Sequence, residues 1–313
     1  MLLKLHLKKI ILFVSLALLT LLMTALITLT PQHHSVDEIY VFGDSLSDVG
    51  NVFQTSNRLY PPSPPYFQGR YSNGLVWVEY LAQQLNLPTH KITNSAWGGA
   101  TIVSSGSPLP VPTVVSQVQR FTATQSQLNP SALYIIWAGA NDYLQDLTKP
   151  EQAIANLSNV LQSLTSKGAK HILVANLPDL GNLPATRNTT KAAALTNSAR
   201  THNSSLRRLL KVLGQQSNAE LQLIELDVYA LYQEAIANPA RFGFKNVTQN
   251  CLVDFATCSQ PDQFLFWDGI HPTTATHRIL ADSAFAQLSQ ANLVGAIAQL
   301  TTQPLKAAET LTD

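Results

Sequence analysis

The stretch ALYIIWAGAND, Ala132 to Asp142, decides the fold. It opens with an unbroken apolar run, short for a helix and without the alternation of a strand wetted on one face. Such a run reads as a strand covered on both faces, the usual state of a strand inside a parallel sheet. Working outward, EIYVF before Gly43, HKITNSA from His90, HILVANLP from His171 and LQLIELD from Leu221 read as four further strands. Helical spacing fills the intervals. It is expected over Gly74 to Leu85, with Leu75, Val78, Leu81, Ala82 and Leu85 on one face, and over Thr113 to Leu128, where Asn129-Pro130 stops it. Further helices are expected over Pro150 to Thr165, Thr189 to Leu213, Val228 to Ile236 and Pro272 to Leu288. Strand followed by helix, five times over, predicts an α/β fold with a parallel sheet and helices on both faces.

Composition agrees with a packed domain and narrows its partners. Hydrophobic residues make up 45% and charged residues 12% of the 313, which supplies a large core and argues against disorder. Lys4, Lys8 and Lys9 lie in a leader that precedes the first acid, Asp37, and the rest of the chain is close to neutral. No basic run remains to neutralise a row of phosphates, so no nucleic-acid partner is expected.

Those three lysines stand before an uncharged run from Ile10 to Thr30. A positive flank orients such a run with its amino terminus in the cytoplasm. About 20 apolar residues span a bilayer, so residues 1–35 fit an uncleaved membrane anchor as well as a cleavable signal peptide. A buried core helix is the third reading. Either export reading puts residues 36–313 outside the cytoplasm, with membrane association through the leader if it is kept. Cys251 and Cys258 in CLVDFATC then meet an oxidising compartment, where a short-range disulfide forms readily; two free thiols are the alternative. Two lone cysteines do not make a zinc site, and no cluster has metal-ligand spacing, so neither metal nor cofactor is expected.

Four segments carry groups suited to acyl chemistry. In FGDSLSDVGN a strand ends at Phe42, glycine allows a turn, and Ser45 follows; serine is a weak nucleophile that needs a base. Far along the chain, FWDGIHPTTATH places Asp268 three residues before His271, a spacing that lets the carboxylate reach the ring of that histidine. Acyl transfer also needs donors for the oxyanion. NSAWGGAT, after the second strand, uncovers backbone N–H groups at Gly98-Gly99, and AGAND, after the third, ends in the side-chain amide of Asn141. Taken singly, each has an ordinary reading: Asp and Ser before a helix are commonly caps, and a lone histidine is more often structural. His90, His171 and His277 are read as structural.

Together, in this order, the four segments resemble the consensus blocks of the GDSL lipases and esterases, the SGNH hydrolases, from Glu38 to about Leu288. GDSLSDVGN, GRYSNGLVWVEYLA, NSAWGGAT and GANDY further resemble the branch with plant GDSL lipases and bacterial lecithinase- or haemolysin-like enzymes. The resemblance implies a three-layer α/β/α sandwich around a five-stranded parallel sheet of flavodoxin-like type. It implies Ser45 as nucleophile, completed by Asp268 and His271, and an oxyanion hole from the Ser45 and Gly99 N–H groups and the Asn141 side chain. Gly99 is placed by counting five positions from Asn94, and Asp142 orients the Asn141 loop. The substrate it implies is an ester or lipid small molecule, cleaved through an acyl-serine intermediate. An acyltransferase with the same groups, or an idle descendant that only binds at a surface, are the rival readings. No Gly-x-Ser-x-Gly elbow occurs, which argues against an ordinary α/β-hydrolase.

One loop interrupts the pattern. RLYPPSPPYFQGRYSNG, Arg58 to Gly74, is rich in turn residues and reads either as a passive surface loop or, in preference, as a wall of the binding cleft, since loops at strand ends carry function in such folds. Its aromatics Tyr60, Tyr66, Phe67 and Tyr71, with Trp97, suit an apolar acyl chain, sugar stacking or packing of the loop itself. Asn156, Asn188, Asn203 and Asn246 each head an Asn-x-Ser/Thr sequon, relevant only in a eukaryotic secretory pathway.

Overall fold

The computed structural model describes residues 36–103, 111–217 and 220–294. The export segment expected over residues 1–35 lies outside them. Among the described residues, no helix is long and apolar enough to cross a membrane.

Five strands form the expected parallel sheet: β1 (Ile39–Gly43), β2 (Ile92–Asn94), β3 (Leu133–Trp137), β4 (His171–Ala175) and β5 (Gln222–Leu226). Their spatial order is β2-β1-β3-β4-β5. β3 and β4 are buried along their whole length, whereas the edge strands β2 and β5 keep partly exposed positions. The unbroken apolar run around Leu133 thus sits at the centre, as its composition requires.

The helices pack in two sets. The helices Val114–Ala123, Pro150–Thr165 and Ala192–Gln216 lie side by side, and Trp77–Gln84 packs against Thr274–Gln290. The chain leaves β1 in one direction to reach β2, then crosses back to β3 on the other side of β1. Right-handed crossovers therefore put the two helix sets on opposite faces. The same reversal opens a crevice beyond the carboxyl ends of β1 and β3, the topological switch point where ligands bind in open α/β sheets.

Several helices start later than their periodicity predicts. The helix expected from Gly74 begins at Trp77, because the segment before it is held elsewhere: Asn73 Oδ1 accepts the Thr274 N–H and Leu75 O accepts from Thr274 Oγ1. The last helix begins at Thr274 instead of Pro272, since Thr273 caps it by accepting the Thr276 N–H. The helix expected from Thr189 begins at Ala192, behind a turn closed from Thr189 N–H to Thr186 O. The helix expected to reach Leu128 ends at Ala123, and the Leu128 N–H is held by Lys167 O.

The stretch after Pro239, read as irregular, contains short pairings. Asn246–Asn250 runs parallel to Phe264–Phe266, and Leu252–Val253 forms a hairpin with Ala256–Thr257. A disulfide between Cys251 and Cys258 clasps that hairpin. Hydrogen bonds from Cys251 N–H to Phe266 O and from Leu252 N–H to Trp267 O fasten it to the strand that leads into Asp268.

Candidate active site

Each functional side chain is delivered by the end of a sheet strand or by the turn before the last helix. β1 ends at Gly43, where Gln117 reads both backbone groups: its Oε1 accepts the Gly43 N–H and its Nε2 donates to Gly43 O, each at 2.9 Å. The chain then turns tightly. The Asp44 carbonyl accepts the N–H groups of Ser47 and Asp48, and its carboxylate accepts that of Leu46 at 3.0 Å. Ser45 sits on this turn, so its hydroxyl projects into the crevice, and among the described residues no protein acceptor takes its N–H. Burial pushes the Asp44 carboxyl up to about 7.

His271 comes from the opposite end of the chain. Asp268 Oδ1 accepts the N–H groups of Ile270 and His271 at 2.8 and 2.7 Å, and Trp267 N–H donates to His271 O. This four-residue turn aims the ring back at its own carboxylate, with Nδ1 2.8 Å from Asp268 Oδ2. The other nitrogen, Nε2, lies 2.8 Å from Ser45 Oγ. Burial opposes charge on both groups. The His271 ring and the hydrogen bonds from it and from Tyr66 nevertheless hold the Asp268 carboxyl well below the usual carboxylate range. The Asp268 charge and hydrogen bond, with Asp44 farther off, raise His271 above the ordinary 6.5.

The third and fourth segments converge on the same crevice. Asn141 is the second residue of the short helix Ala140–Leu144 beyond β3; its Nδ2 donates one hydrogen to Ala100 O at 2.9 Å, and the amide has a second to offer. The neighbouring Asp142 is buried, and its carboxylate accepts the Ile102 N–H, tying the Asn141 turn to the Gly98–Ile102 loop. Burial raises the Asp142 carboxyl to about 6. Within that loop the two glycines differ. The Gly98 N–H is taken by Asp48 Oδ2 at 2.8 Å, while no protein acceptor among the described residues takes the Gly99 N–H. Gly99 has φ 79°, the left-handed region that favours glycine. Gly99, the position reached by counting from Asn94, is thus the one of the two glycines whose N–H has no protein acceptor among the described residues.

Ser45, Gly99, Asn141 and His271 all line one cleft of about 600 Å³, together with Val52, Tyr60, Tyr71, Trp97, Val111 and Ile270. Among the described residues, no Asp, Glu, Lys or Arg side chain is on its wall. The loop from Arg58 to Gly74 is a wall of this cleft, as expected, through Tyr60 and Tyr71. Tyr66, whose ring suits an acyl chain, a sugar or packing of the loop, also has a polar contact that its sequence context does not announce: its hydroxyl donates to Asp268 Oδ2 at 2.7 Å. His277 is buried in the last helix, where Nδ1 accepts the Trp77 N–H at 3.2 Å, a structural histidine. His90 lies in a single turn before β2 and not within the strand.

A hydroxyl on an imidazole that is itself held by a carboxylate, beside backbone and amide donors, is an arrangement that can activate an oxygen and hold an oxyanion. Comparison with known proteins agrees. The family model described as GDSL-like Lipase/Acylhydrolase matches residues 39–284. The chain belongs to that family. It is similar to a phosphatidylcholine-sterol acyltransferase of Aeromonas hydrophila, 31% identical over 79% of this chain and 88% of that protein. It is similar also to the thermolabile hemolysin of Vibrio parahaemolyticus, 30% identical over 80% of this chain and 63% of that one. A GDSL esterase/lipase of Arabidopsis thaliana is 28% identical over 83% of this chain and 90% of its own length. By family, this GDSL hydrolase acts on carboxylic ester bonds.

Proposed function

We propose that this GDSL hydrolase cleaves acyl esters of lipid type outside the cytoplasm, through a covalent acyl-Ser45 intermediate. His271 Nε2 takes the Ser45 proton as Oγ attacks the ester carbonyl carbon. Asp268 fixes the ring tautomer and balances the imidazolium. The Ser45 and Gly99 N–H groups and Asn141 Nδ2 hold the tetrahedral oxyanion. The intermediate collapses, the alcohol leaves with the proton from His271, and water then repeats the sequence on the acyl-enzyme.

The observation that carries this reading is the 2.8 Å contact between His271 Nε2 and Ser45 Oγ, groups 226 positions apart in sequence. For substrate class, the support is a cleft where Val52, Tyr60, Tyr71, Trp97, Val111 and Ile270 stand beside the polar Thr55, Ser56 and Gln145. No Asp, Glu, Lys or Arg is among the described residues of its wall, which suits an uncharged acyl chain. For export, the support is the lysine-flanked apolar leader together with the Cys251–Cys258 disulfide.

A fluorophosphonate probe tests the chemistry: wild type is labelled and Ser45→Ala is not. Equal labelling of both would remove Ser45 from the role. A chain-length series of nitrophenyl esters beside a phospholipid assay tests the substrate class; activity confined to acetyl esters would overturn it. The similarity to an acyltransferase favours one second reading, transfer of the acyl group to an alcohol by the same residues. Product analysis with added alcohol separates the two.

A further inference from the structure

We propose that Tyr66 is a positioning residue that sets the basicity of His271 through its hydrogen bond to Asp268. The inference rests on the triad reading above and extends it to a fourth side chain, drawn from the cleft-wall loop.

Asp268 divides its two oxygens between two tasks. Oδ1 is committed to the turn through the Ile270 and His271 N–H groups. Oδ2 is the oxygen that meets the His271 ring, and it is this one that also accepts the Tyr66 hydroxyl, at 2.7 Å against 2.8 Å for Nδ1. Two donors therefore compete for the charge on one oxygen. A donor that draws on a carboxylate stabilises its ionised form and weakens its hold on a second partner. Tyr66 thus keeps Asp268 an anion while reducing how strongly that anion favours the imidazolium over the neutral ring.

The tyrosine is built to hold that position. Its ring meets Trp267, the residue before Asp268, edge-on at 6.4 Å, and Tyr71 at 6.3 Å. Tyr71 in turn lies against the His271 ring at 5.1 Å and lines the cleft. Burial and the charge of Asp268 push the Tyr66 phenol far up, so it remains a donor at any pH at which the enzyme works. The other groups that face His271 are Ser45 at Nε2, the flanking Tyr71 ring, and Asp44 and His277 through space. None of them touches Asp268 Oδ2.

The test uses two substitutions at one position with opposite effects on donor strength. Tyr66→Phe keeps the ring and removes the donor; replacing Tyr66 with a fluorotyrosine keeps the donor and makes it stronger. The readout is the acid limb of kcat/KM against pH on a nitrophenyl ester, after fluorophosphonate labelling of Ser45 is verified in each protein. The acid limb is expected to move up by about half a pH unit in Tyr66→Phe, which makes activity on that limb about threefold lower. It is expected to move down in the fluorotyrosine protein. A limb that stays put in both, whatever happens to the plateau, makes Tyr66 a packing residue and overturns the proposal. Failure of wild type to label at Ser45 would overturn the triad reading itself, which is a separate outcome.

Discussion

Asp48 Oδ2 accepts the backbone N–H of Gly98 at 2.8 Å, across fifty positions of sequence. The same carboxylate takes the N–H groups of Gly50 and Asn51 through Oδ1, at 2.8 and 2.6 Å. One buried side chain thereby binds the turn that carries Ser45 to the loop that carries Gly99. It also occupies the Gly98 donor, which leaves the Gly99 N–H as the glycine donor the proposed oxyanion hole would use. Asp48→Ala leaves four backbone donors, those of Gly50, Asn51, Val52 and Gly98, without this acceptor in a largely buried place. Each unsatisfied donor costs about 1–3 kcal/mol before relaxation and water are counted. The variant is expected to lose roughly 2–4 kcal/mol in urea denaturation and most of its turnover. Wild-type stability in Asp48→Ala would show that this bracing is dispensable.

Asn141 tests the oxyanion reading more directly. Its amide is already anchored by one hydrogen on Ala100 O, so the direction of the second is fixed before substrate arrives. Donors that need no reorganisation are the valuable ones, and removing one costs about 3–4 kcal/mol of barrier. Asn141→Ala should lower kcat by about a hundredfold or more, with KM and the thermal midpoint little changed. Full turnover in this variant on an ester would end the assignment.

The pH dependence follows from the two shifts at the triad. In the proposed mechanism His271 accepts the Ser45 proton only as the neutral ring, so activity should fall as pH drops through its pKa. Asp268 holds that pKa above the ordinary 6.5, which sets the acid-limb midpoint above 6.5 in wild type. Asp268→Asn takes away the charge that supports the imidazolium. The midpoint should then move down, and turnover on the plateau should fall steeply, by roughly 10⁴-fold if the triad behaves as in other serine hydrolases. A midpoint that rises in Asp268→Asn would contradict the sign of this coupling.

How far sequence alone reached depended on where each group sits. Ser45 and Asn141 stand just past strands whose apolar runs are unmistakable, and His271 shares a four-residue turn with its carboxylate, so local pattern singled out all three as candidates, and the structure brings them to one cleft. The Tyr66 hydrogen bond was not legible because its partner Asp268 lies 202 positions away, and no periodicity links a loop hydroxyl to a distant carboxylate. Gln117 escaped for the same reason: a glutamine on an amphipathic helix gives no sign that its amide closes both groups of Gly43. The hairpin at Leu252–Val253 is too short for alternation to register, though its flanking cysteines marked the closure. Helix starts slipped by two or three residues where polar side chains such as Asn73 and Thr273 took the backbone first.

Gly98 faces a different constraint from Gly99, and a double substitution separates them. A Cβ built on Gly98 would lie 2.1 Å from the Tyr71 hydroxyl and 2.3 to 2.4 Å from its ring atoms, whereas one on Gly99 meets nothing within 4 Å. Gly98 is therefore demanded by the tyrosine that lies over it, the same tyrosine that flanks His271. Gly98→Ala must drive that ring off the histidine, a collision of the kind that costs about 1–3 kcal/mol in packed interiors. Turnover should fall with stability, because the displaced ring also walls the cleft. In Gly98→Ala/Tyr71→Ala the collision has no second party. The double variant should then be less impaired than the two single effects summed, with a coupling of about 1–2 kcal/mol in denaturation. Strict additivity would mean that the Gly98 backbone moves to accept a methyl group, and that contact with Tyr71 is not what keeps the position a glycine.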